Sequence, residues 1–387
     1  MTGSTLSIVK ELMEGFARET GLTGARPPRR YLWTDAFAVC NYLELYHQTV
    51  DREYLEMACR LVDQVHQTLG RHRADDERVG WISGLNEEEG RKHPTAGGLR
   101  IGKEMNERSE DDPYDSRLEW ERDGQYFHYL TKWMHALNRL GQVSNEPVYL
   151  RWAGELAETA CTCFCYRPDP AGPGGMYWKM SIDLSRPLVR GMGQHDPLDG
   201  YLICRELQAA IKACPQEGPD LIMETEKFES MTRSLDLVTD DPLGLGGLLT
   251  DAFRLVQLRS VGDHRRPELL MDILRAIPPG LKNFIKGGTL RLSVDYRLAF
   301  RELGLAIGLH SPEHMEAMAM AHPELFEEYR YFFPLTRELK TYSSLGRDVE
   351  EFWLDDVNLE SRSWKAHEDI NRVMLATSLA PTAYLSI

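Results

Sequence analysis

The chain has 387 residues, of which 42% are hydrophobic and 27% charged, a composition typical of a folded protein rather than a disordered one. Its formal net charge of −15 at pH 7, without a stretch of clustered Lys and Arg, argues against a nucleic-acid partner. The N-terminal segment lacks the apolar core of a signal peptide, and no apolar run is long enough to cross a bilayer. We therefore expect a soluble, cytoplasmic protein with no membrane partner.

The cysteines and the aspartate-rich stretch predict no metal centre. Cys161, Cys163 and Cys165 lie in an apparently helical segment and lack the paired spacing on a turn that a zinc site needs. The run DDPYD, which starts at Asp111, is interrupted by a proline and so does not place its carboxylates on one helical face. We expect reduced, mostly buried thiols and neither a metal nor a cofactor.

Three helices are predicted in the first part of the chain. Leu6–Glu19 has one apolar side, Tyr31–Gln48 is apolar nearly all round, and Asp51–Leu69 has a single apolar stripe. A helix that is apolar on all sides must be buried on all sides, whereas an amphipathic helix buries only its apolar stripe. We interpret Tyr31–Gln48 as an inner helix and Asp51–Leu69 as its outer partner.

This alternation of an inner and an outer helix repeats along the rest of the chain. Gly244, Gly246 and Gly247 fall inside the fourth inner helix and predict close packing against a neighbouring helix. The sixth inner helix has no successor, so we expect it to pair with Leu6–Glu19. The remaining inner helices are predicted at Trp120–Leu140, Asp196–Ala213, Leu243–Leu258, Ser293–Leu309 and Trp364–Leu379. The remaining outer helices are predicted at Pro147–Cys165, Leu221–Leu237, Pro267–Ile277 and from Ser311 onward, with interruptions at Pro323 and Pro334.

The repeated pairing identifies a fold. Over essentially its whole length, with segments such as YLWTDAFAVCNYLELY and LEWERDGQYFHYLTKWMHALNRL, the chain resembles the six-hairpin glycosidase-like superfamily. That superfamily includes glucoamylases, unsaturated glucuronyl hydrolases and the N-acylglucosamine 2-epimerase group. The resemblance implies an all-α (α/α)6 toroid of six inner and six outer helices. It also implies a single domain over residues 1–387, closed by the N-terminal helix, and a saccharide as the small-molecule partner; the oligomeric state is left open.

The links between helices indicate where a site should lie. Links from an outer helix to the next inner helix are often long, as at residues 70–116 and 167–195, and they enter the inner helices at their N-termini. We expect them to gather at one end of the toroid, where acids, histidines and flat rings suit the hydroxyls and apolar faces of a sugar. The candidate catalytic residues are Asp123, Asp35, Asp196, His195 and His367. The candidate substrate-binding residues are Trp33, Trp120, Tyr126, His128, Trp178, Arg190, Asp199, Trp364 and Glu368.

Some of the candidate acids have a structural alternative. Asp35 and Asp196 stand where helix N-caps stand, and Asp is strongly preferred there. Asp123 is expected a turn or more inside an apolar helix, where an unpaired carboxylate is costly, and this favours a role in a site.

Three functions fit these residues. Glycoside cleavage needs one protonated and one ionised carboxyl group. The predicted pair joins Asp123 to Asp35, Asp196 or Asp199. The second hypothesis is a sugar epimerase of the N-acylglucosamine 2-epimerase type, in which His195 and His367 move a proton beside a carbonyl. The third is a non-catalytic toroid that binds a ligand or partner, and glycoside hydrolysis is the leading hypothesis.

Overall fold

The computed structural model describes residues 3–167, 174–213 and 218–387. Within these ranges the chain is mainly α-helical, with five strands of two or three residues each. Its contacts divide it into two units. The N-terminal unit contains Ala17–Tyr46 and Asp51–Leu235, and the C-terminal unit contains the chain up to Phe16, His47–Val50 and Asp236–Ile387.

The helices of the first part of the chain follow the predicted alternation. They are α1 (Gly3–Glu19), α2 (Leu32–Thr49), α3 (Arg52–Leu69), α4 (Glu87–Lys92), α5 (Ser116–Glu121), α6 (Phe127–Ser144), α7 (Val148–Phe164), α8 (Asp196–Ala213) and α9 (Ile222–Thr232). Outer helix α7 packs on α6 and outer helix α9 packs on α8, while the inner helices α6 and α8 pack on each other. The predicted pairs α6–α7 and α8–α9 are therefore present.

Short strands fill the long links of the N-terminal unit. They are β1 (Gln125–Tyr126), β2 (Cys165–Tyr166), β3 (Gly175–Met176), β4 (Lys179–Met180) and β5 (Pro187–Val189). Strands β1, β4 and β5 form an antiparallel sheet in that order, and β2 pairs antiparallel with β3. Within this unit the two long links predicted at residues 70–116 and 167–195 are in contact, because Arg78 Nη1 lies 3.0 Å from Asp183 Oδ2.

The C-terminal unit is built on inner helices α10, α12 and α18. Its helices are α10 (Pro242–Ser260), α11 (Pro267–Gly287), α12 (Ala299–Leu309), α13 (Ser311–Ala321), α14 (Phe332–Lys340), α15 (Ser343–Leu354), α16 (Asp356–Leu359), α17 (Arg362–Lys365), α18 (Glu368–Leu379) and α19 (Thr382–Leu385). Three 3-10 turns stand at Thr289–Arg291, Val294–Tyr296 and Pro323–Leu325. Helix α12 packs on α10, α15 and α18. Helix α1 lies against α18, because a Cβ on Gly15 would stand 3.6 Å from Arg372 Cζ, and this contact confirms the predicted pairing.

Several predicted boundaries are wrong, each for a physical reason. Helix α11 continues through Pro278 and Pro279 to Gly287, because Leu281 and Phe284 continue its buried face. The inner helix predicted from Ser293 begins only at Ala299, after a 3-10 turn.

Two further boundaries differ around the predicted prolines. The stretch after residue 341 contains a further helix, α15, which buries Val349 and Trp353. Pro323 does end helix α13, whereas Pro334 lies in the first turn of α14, where proline is tolerated. Across the described ranges, no helix is both long enough and apolar enough to pass through a bilayer.

Candidate active site

An aromatic cluster lies in the N-terminal unit where α5, β1, α6 and β4 meet, and it comprises Trp120, Tyr126, His128, Tyr129 and Trp178. The Trp178 ring centroid lies 4.9 Å from that of Trp120 and 5.8 Å from that of Tyr126. The His128 ring is stacked on Trp178 at 6.3 Å, with 25° between the ring planes. Trp120 is 49% exposed, so the cluster offers an open, flat apolar face of the kind on which a sugar ring can rest.

The backbone at Asp123–Tyr126 positions this cluster and differs from the prediction. Instead of one helix from Trp120 to Leu140, the chain ends α5 at Glu121, forms β1 and then starts α6. Gly124 has φ = 144°, a conformation open to glycine but strained for other residues. The buried Gln125 side chain holds the corner in place: its Nε2 donates to Ile182 O at 2.7 Å and to Gly97 O at 3.0 Å. Helix α5, just before this corner, is capped by the side chain of Asp115.

A polar group of side chains from α6 and α8 borders the aromatic cluster. Asp196, at the start of α8, is 5% exposed, and its Oδ1 lies 4.0 Å from Nδ1 of His128. Lys132, one helical turn beyond His128, donates to Asp199 Oδ1 at 3.0 Å. The two carboxylates are therefore in different environments, one ion-paired and the other enclosed.

Burial sets the protonation of this group. Burial, reinforced by the negative charge of Asp199, raises the pKa of Asp196 to about 7, while the hydrogen bond from Gly193 N opposes the shift. Burial also lowers the pKa of His128 to about 4, although 28% of its side chain remains open. Near neutral pH, His128 is therefore uncharged and Asp196 is protonated in a large fraction of molecules.

Two tyrosines and a tryptophan extend the cluster toward α2. The hydroxyl oxygens of Tyr31 and Tyr129 are 2.7 Å apart, and burial raises the pKa of Tyr31 to about 12. The ring of Trp33, a predicted binding residue, lies 6.4 Å from that of Tyr129. Lys103 Nζ lies 5.6 Å from the Tyr31 ring centroid, and burial lowers the pKa of this lysine.

Asp123 is enclosed by partners that compensate its charge. Its side chain has no exposed surface, and its carboxylate accepts from Arg100 Nη1 at 2.8 Å and from Arg73 Nη1 at 3.3 Å. The backbone N–H groups of Gly102 and Gly124 donate to its other oxygen at 2.9 and 3.1 Å. Asp123 thus lies outside any helix and joins two loops, in contrast to its predicted place inside an apolar helix.

Asp35 has a similar set of partners at the start of α2. Tyr31 N donates to Asp35 Oδ2 at 3.0 Å, and Arg30 Nη1 lies 3.4 Å from Oδ1, with both side chains buried. These contacts are those of a helix-start residue with a buried counter-charge.

The remaining predicted site residues are distributed over both units. In the N-terminal unit His195 is half-buried just before α8, and Arg190 is exposed after β5. In the C-terminal unit Trp364 is buried and stacked on Trp353, and the ring of His367 lies 5.7 Å from that of Phe300. Glu368 pairs with Arg372.

Sequence reasoning missed three residues near the cluster. Tyr129, Lys103 and Lys132 are not among the candidates predicted from the sequence. Lys132 follows His128 by four residues and so shares its face of α6, a spacing that could have identified it. Lys103 has no such local signal, because a loop brings it to Tyr31.

The described part of the chain contains no group of three or more His, Cys, Asp or Glu side chains arranged to hold a metal ion. No protein-family model matches the sequence, and no curated protein matches it significantly.

Solved structures do match the fold. An α-mannanase of family GH76 from Bacteroides thetaiotaomicron is 10% identical, with a TM-score of 0.55 over 98% of this chain and 97% of that one. An α-1,6-mannanase of Salegentibacter is 11% identical, with a TM-score of 0.50 over 99% and 100% of the two chains. A cellobiose 2-epimerase of Spirochaeta thermophila is 13% identical, with a TM-score of 0.49 over 97% and 98%. The chain has an all-α (α/α)6 toroid fold.

Proposed function

We propose that the protein is a carbohydrate-active enzyme that hydrolyses a glycosidic bond, with Asp196 as the general acid. The observation that carries this proposal is a buried carboxyl group with a pKa near 7, placed beside an open aromatic face. Hydrolysis needs a carboxylic acid to protonate the leaving oxygen and an ionised carboxylate to activate water or attack the sugar. Asp199, ion-paired to Lys132, is the ionised partner in this proposal.

Other residues of the cluster would bind the sugar and maintain the surroundings of Asp196. Trp120 and Trp178 present flat apolar surfaces to a sugar ring, and the tyrosine hydroxyls of the cluster can bond to sugar hydroxyls. His128 packs against the acid without a charge of its own, which keeps the surroundings of Asp196 apolar enough to hold its proton. Two carboxyl groups pushed into different protonation states are the arrangement that acid–base catalysis uses.

The first test is turnover on a saccharide panel. The panel begins with α-1,6-mannotriose, because the Salegentibacter mannanase was crystallised with it as an inactive variant lacking two consecutive aspartates. We expect Asp196→Asn to lower kcat by about a thousandfold, since general acid–base catalysis contributes about 100- to 10,000-fold. Asp63→Asn is the matched control, because burial also raises the pKa of Asp63 but it lies on α3 outside the cluster. Equal activity of the two variants would refute the role of Asp196.

The pH profile gives a second, independent test. A general acid must be protonated, so kcat/KM should fall as the pH rises through about 7, the pKa to which burial raises Asp196. Because the pKa of Asp196 is higher in the folded than in the unfolded protein, the free energy of unfolding falls as the pH rises from the ordinary carboxyl pKa to about 7. Asp196→Asn should therefore raise the melting temperature at pH 8 while it lowers kcat, which separates loss of catalysis from loss of fold.

A sugar epimerase is a second candidate, favoured by the unpaired imidazole of His128. Within the described residues, Nδ1 of His128 is buried without a hydrogen-bond partner, and burial lowers the pKa of the ring to about 4. Such a ring is an available base at all pH values above about 4. In deuterium oxide an epimerase would place deuterium on the sugar without breaking a glycosidic bond, and His128→Gln would stop this exchange. Binding without turnover or exchange across the panel would leave only the non-catalytic function.

A further inference from the structure

A cavity lies wholly within the C-terminal unit and shares no residue with the aromatic cluster. It has a volume of about 320 Å³ and lies between the start of α10, the end of α11 and the start of α12. This volume is at the lower end of the range for small-molecule sites. The side chains used below are Asp240, Asn283, Thr289, Tyr296, Leu298 and Arg301.

The two arginines and the glutamate that line this cavity are paired with opposite charges. Arg297 donates to both carboxylate oxygens of Glu302, at 2.9 and 2.6 Å, and Trp353 Nε1 donates to Glu302 Oε2 at 2.9 Å. Both members of the pair are nearly fully buried. At the rim, Arg301 pairs with Asp241, whose other oxygen caps α10 through Gly244 N at 2.9 Å. Because both arginines are already paired with carboxylates, neither leaves an unbalanced positive charge for an anion.

The walls combine apolar surface with uncommitted polar groups. Tyr296 is 79% exposed and Leu298 is 42% exposed, so an aromatic ring and an aliphatic side chain face solvent together. Among the described residues, no protein group hydrogen-bonds to the side chains of Asp240, Asn283 or Thr289. These groups supply a carboxylate, an amide and a hydroxyl, which together both accept and donate hydrogen bonds.

We infer that this cavity is a second binding site, for one unit of a neutral saccharide. A pyranose has apolar faces that pack on an aromatic ring and hydroxyls that need both donors and acceptors, which the walls provide. An anionic ligand is disfavoured, since Asp240 adds a negative charge to a cavity whose arginines are balanced. The site holds sugar without cleaving it, because cleavage needs two carboxyl groups and the carboxylate of Glu302 is fully occupied by Arg297 and Trp353, which leaves only Asp240.

The test measures binding of methyl α-D-mannopyranoside and methyl β-D-glucopyranoside to the full-length protein by saturation-transfer NMR. The parent for the test is the double variant Trp120→Ala/Trp178→Ala, in which the aromatic cluster no longer offers its flat face. We expect this parent to retain saturation transfer to at least one of the two methyl glycosides. Adding Tyr296→Ala should weaken that residual binding by about fivefold or more, because the aromatic contact is lost. Asn283→Ala should weaken it in the same direction.

Tyr331→Ala is the matched control, since Tyr331 is also an exposed tyrosine of the C-terminal unit, at 52%, but does not line the cavity. It should leave the residual binding unchanged, and inorganic phosphate should not compete. The inference is overturned if neither glycoside binds to the parent, if Tyr296→Ala and Tyr331→Ala behave alike, or if phosphate displaces the sugar. Turnover is not part of this readout, so failure of the hydrolase proposal and failure of this inference are distinguishable.

Discussion

Asp123 and Asp196 are both buried carboxylates of the N-terminal unit, yet their surroundings differ. Asp123 is held by two arginines and two backbone N–H groups. Asp196 receives a hydrogen bond from Gly193 and faces a neutral imidazole. A carboxylate whose charge is compensated stabilises a structure, whereas one whose charge is opposed by its surroundings holds a proton that it can transfer. We therefore assign the catalytic proposal to Asp196.

The role of Asp123 can be tested by removing its charge. Asp123→Asn removes a fully buried charge, which leaves Arg100 without its carboxylate partner and Arg73 paired only with Asp75. We expect the free energy of unfolding to fall by about 3 kcal/mol. Urea denaturation measures this loss, with Asp75→Asn as the control, because Asp75 is a mostly exposed partner of the same Arg73 and should change stability by less than about 1 kcal/mol. The variant should keep its turnover while folded. A variant that is stable but has no turnover would instead indicate a catalytic role for Asp123.

At the level of elements, glycines set the distance between inner helices α10 and α12. A Cβ on Gly246 would stand 2.0 Å from Gly304 O, and one on Gly308 would stand 2.5 Å from Gly246 O. The two backbones are thus closer than any side chain would allow. The predicted role of Gly246 in close packing is confirmed, but Gly247 does not share it, since a Cβ there would meet nothing within 4 Å.

This difference within one glycine pair predicts opposite effects of the same substitution. Gly246→Ala should destabilise the protein by about 3 kcal/mol or more, because α10 and α12 must move apart. Gly247→Ala should be neutral or stabilise it by up to about 1 kcal/mol through higher helix propensity. Thermal denaturation of the two variants measures this difference in stability. Equal losses would contradict the close approach of the two helices.

At the level of the whole molecule, buried histidines make stability depend on pH. His66 is buried on α3, its Nε2 accepts from Trp133 Nε1 at 3.2 Å, and burial lowers its pKa to about 3. The folded state therefore resists protonation that the unfolded chain accepts below pH 6.5. Stability is fully present above pH 6.5 and is lost as the pH falls from there toward 3.

His66→Gln tests this link, because glutamine keeps an acceptor for Trp133 but does not titrate. The natural protein should lose about 2 kcal/mol of unfolding free energy between pH 7 and pH 5 through His66 alone. The variant should show a correspondingly smaller loss in urea denaturation at the two pH values. His128 acts in the same direction, so part of the acid sensitivity should remain. If the pH dependence of the variant matched that of the natural protein, burial of a neutral His66 would not be its cause.

The sequence alone was sufficient to predict the fold, because helix periodicity and capping are local and because the alternation of all-round and one-sided apolar helices repeats along the chain. It also predicted Trp120, Tyr126, His128, Trp178 and Asp196 as candidates, since these stand near inner-helix starts or in long links. The tertiary structure placed the four aromatic residues in one cluster and Asp196 beside it.

Only the tertiary structure shows that the charge of Asp123 is compensated by its partners and that Asp196 is enclosed. Apart from the adjacent N–H of Gly124, the partners of Asp123 come from loops 21 to 50 residues away in the chain, and Gly124 and Gln125 turn the backbone out of a helix to meet them. The environment of Asp196 likewise depends on His128 from another helix. The protonation state of a carboxyl group depends on the residues that pack around it. These residues are distant in the chain, so no periodic pattern in the sequence predicts them.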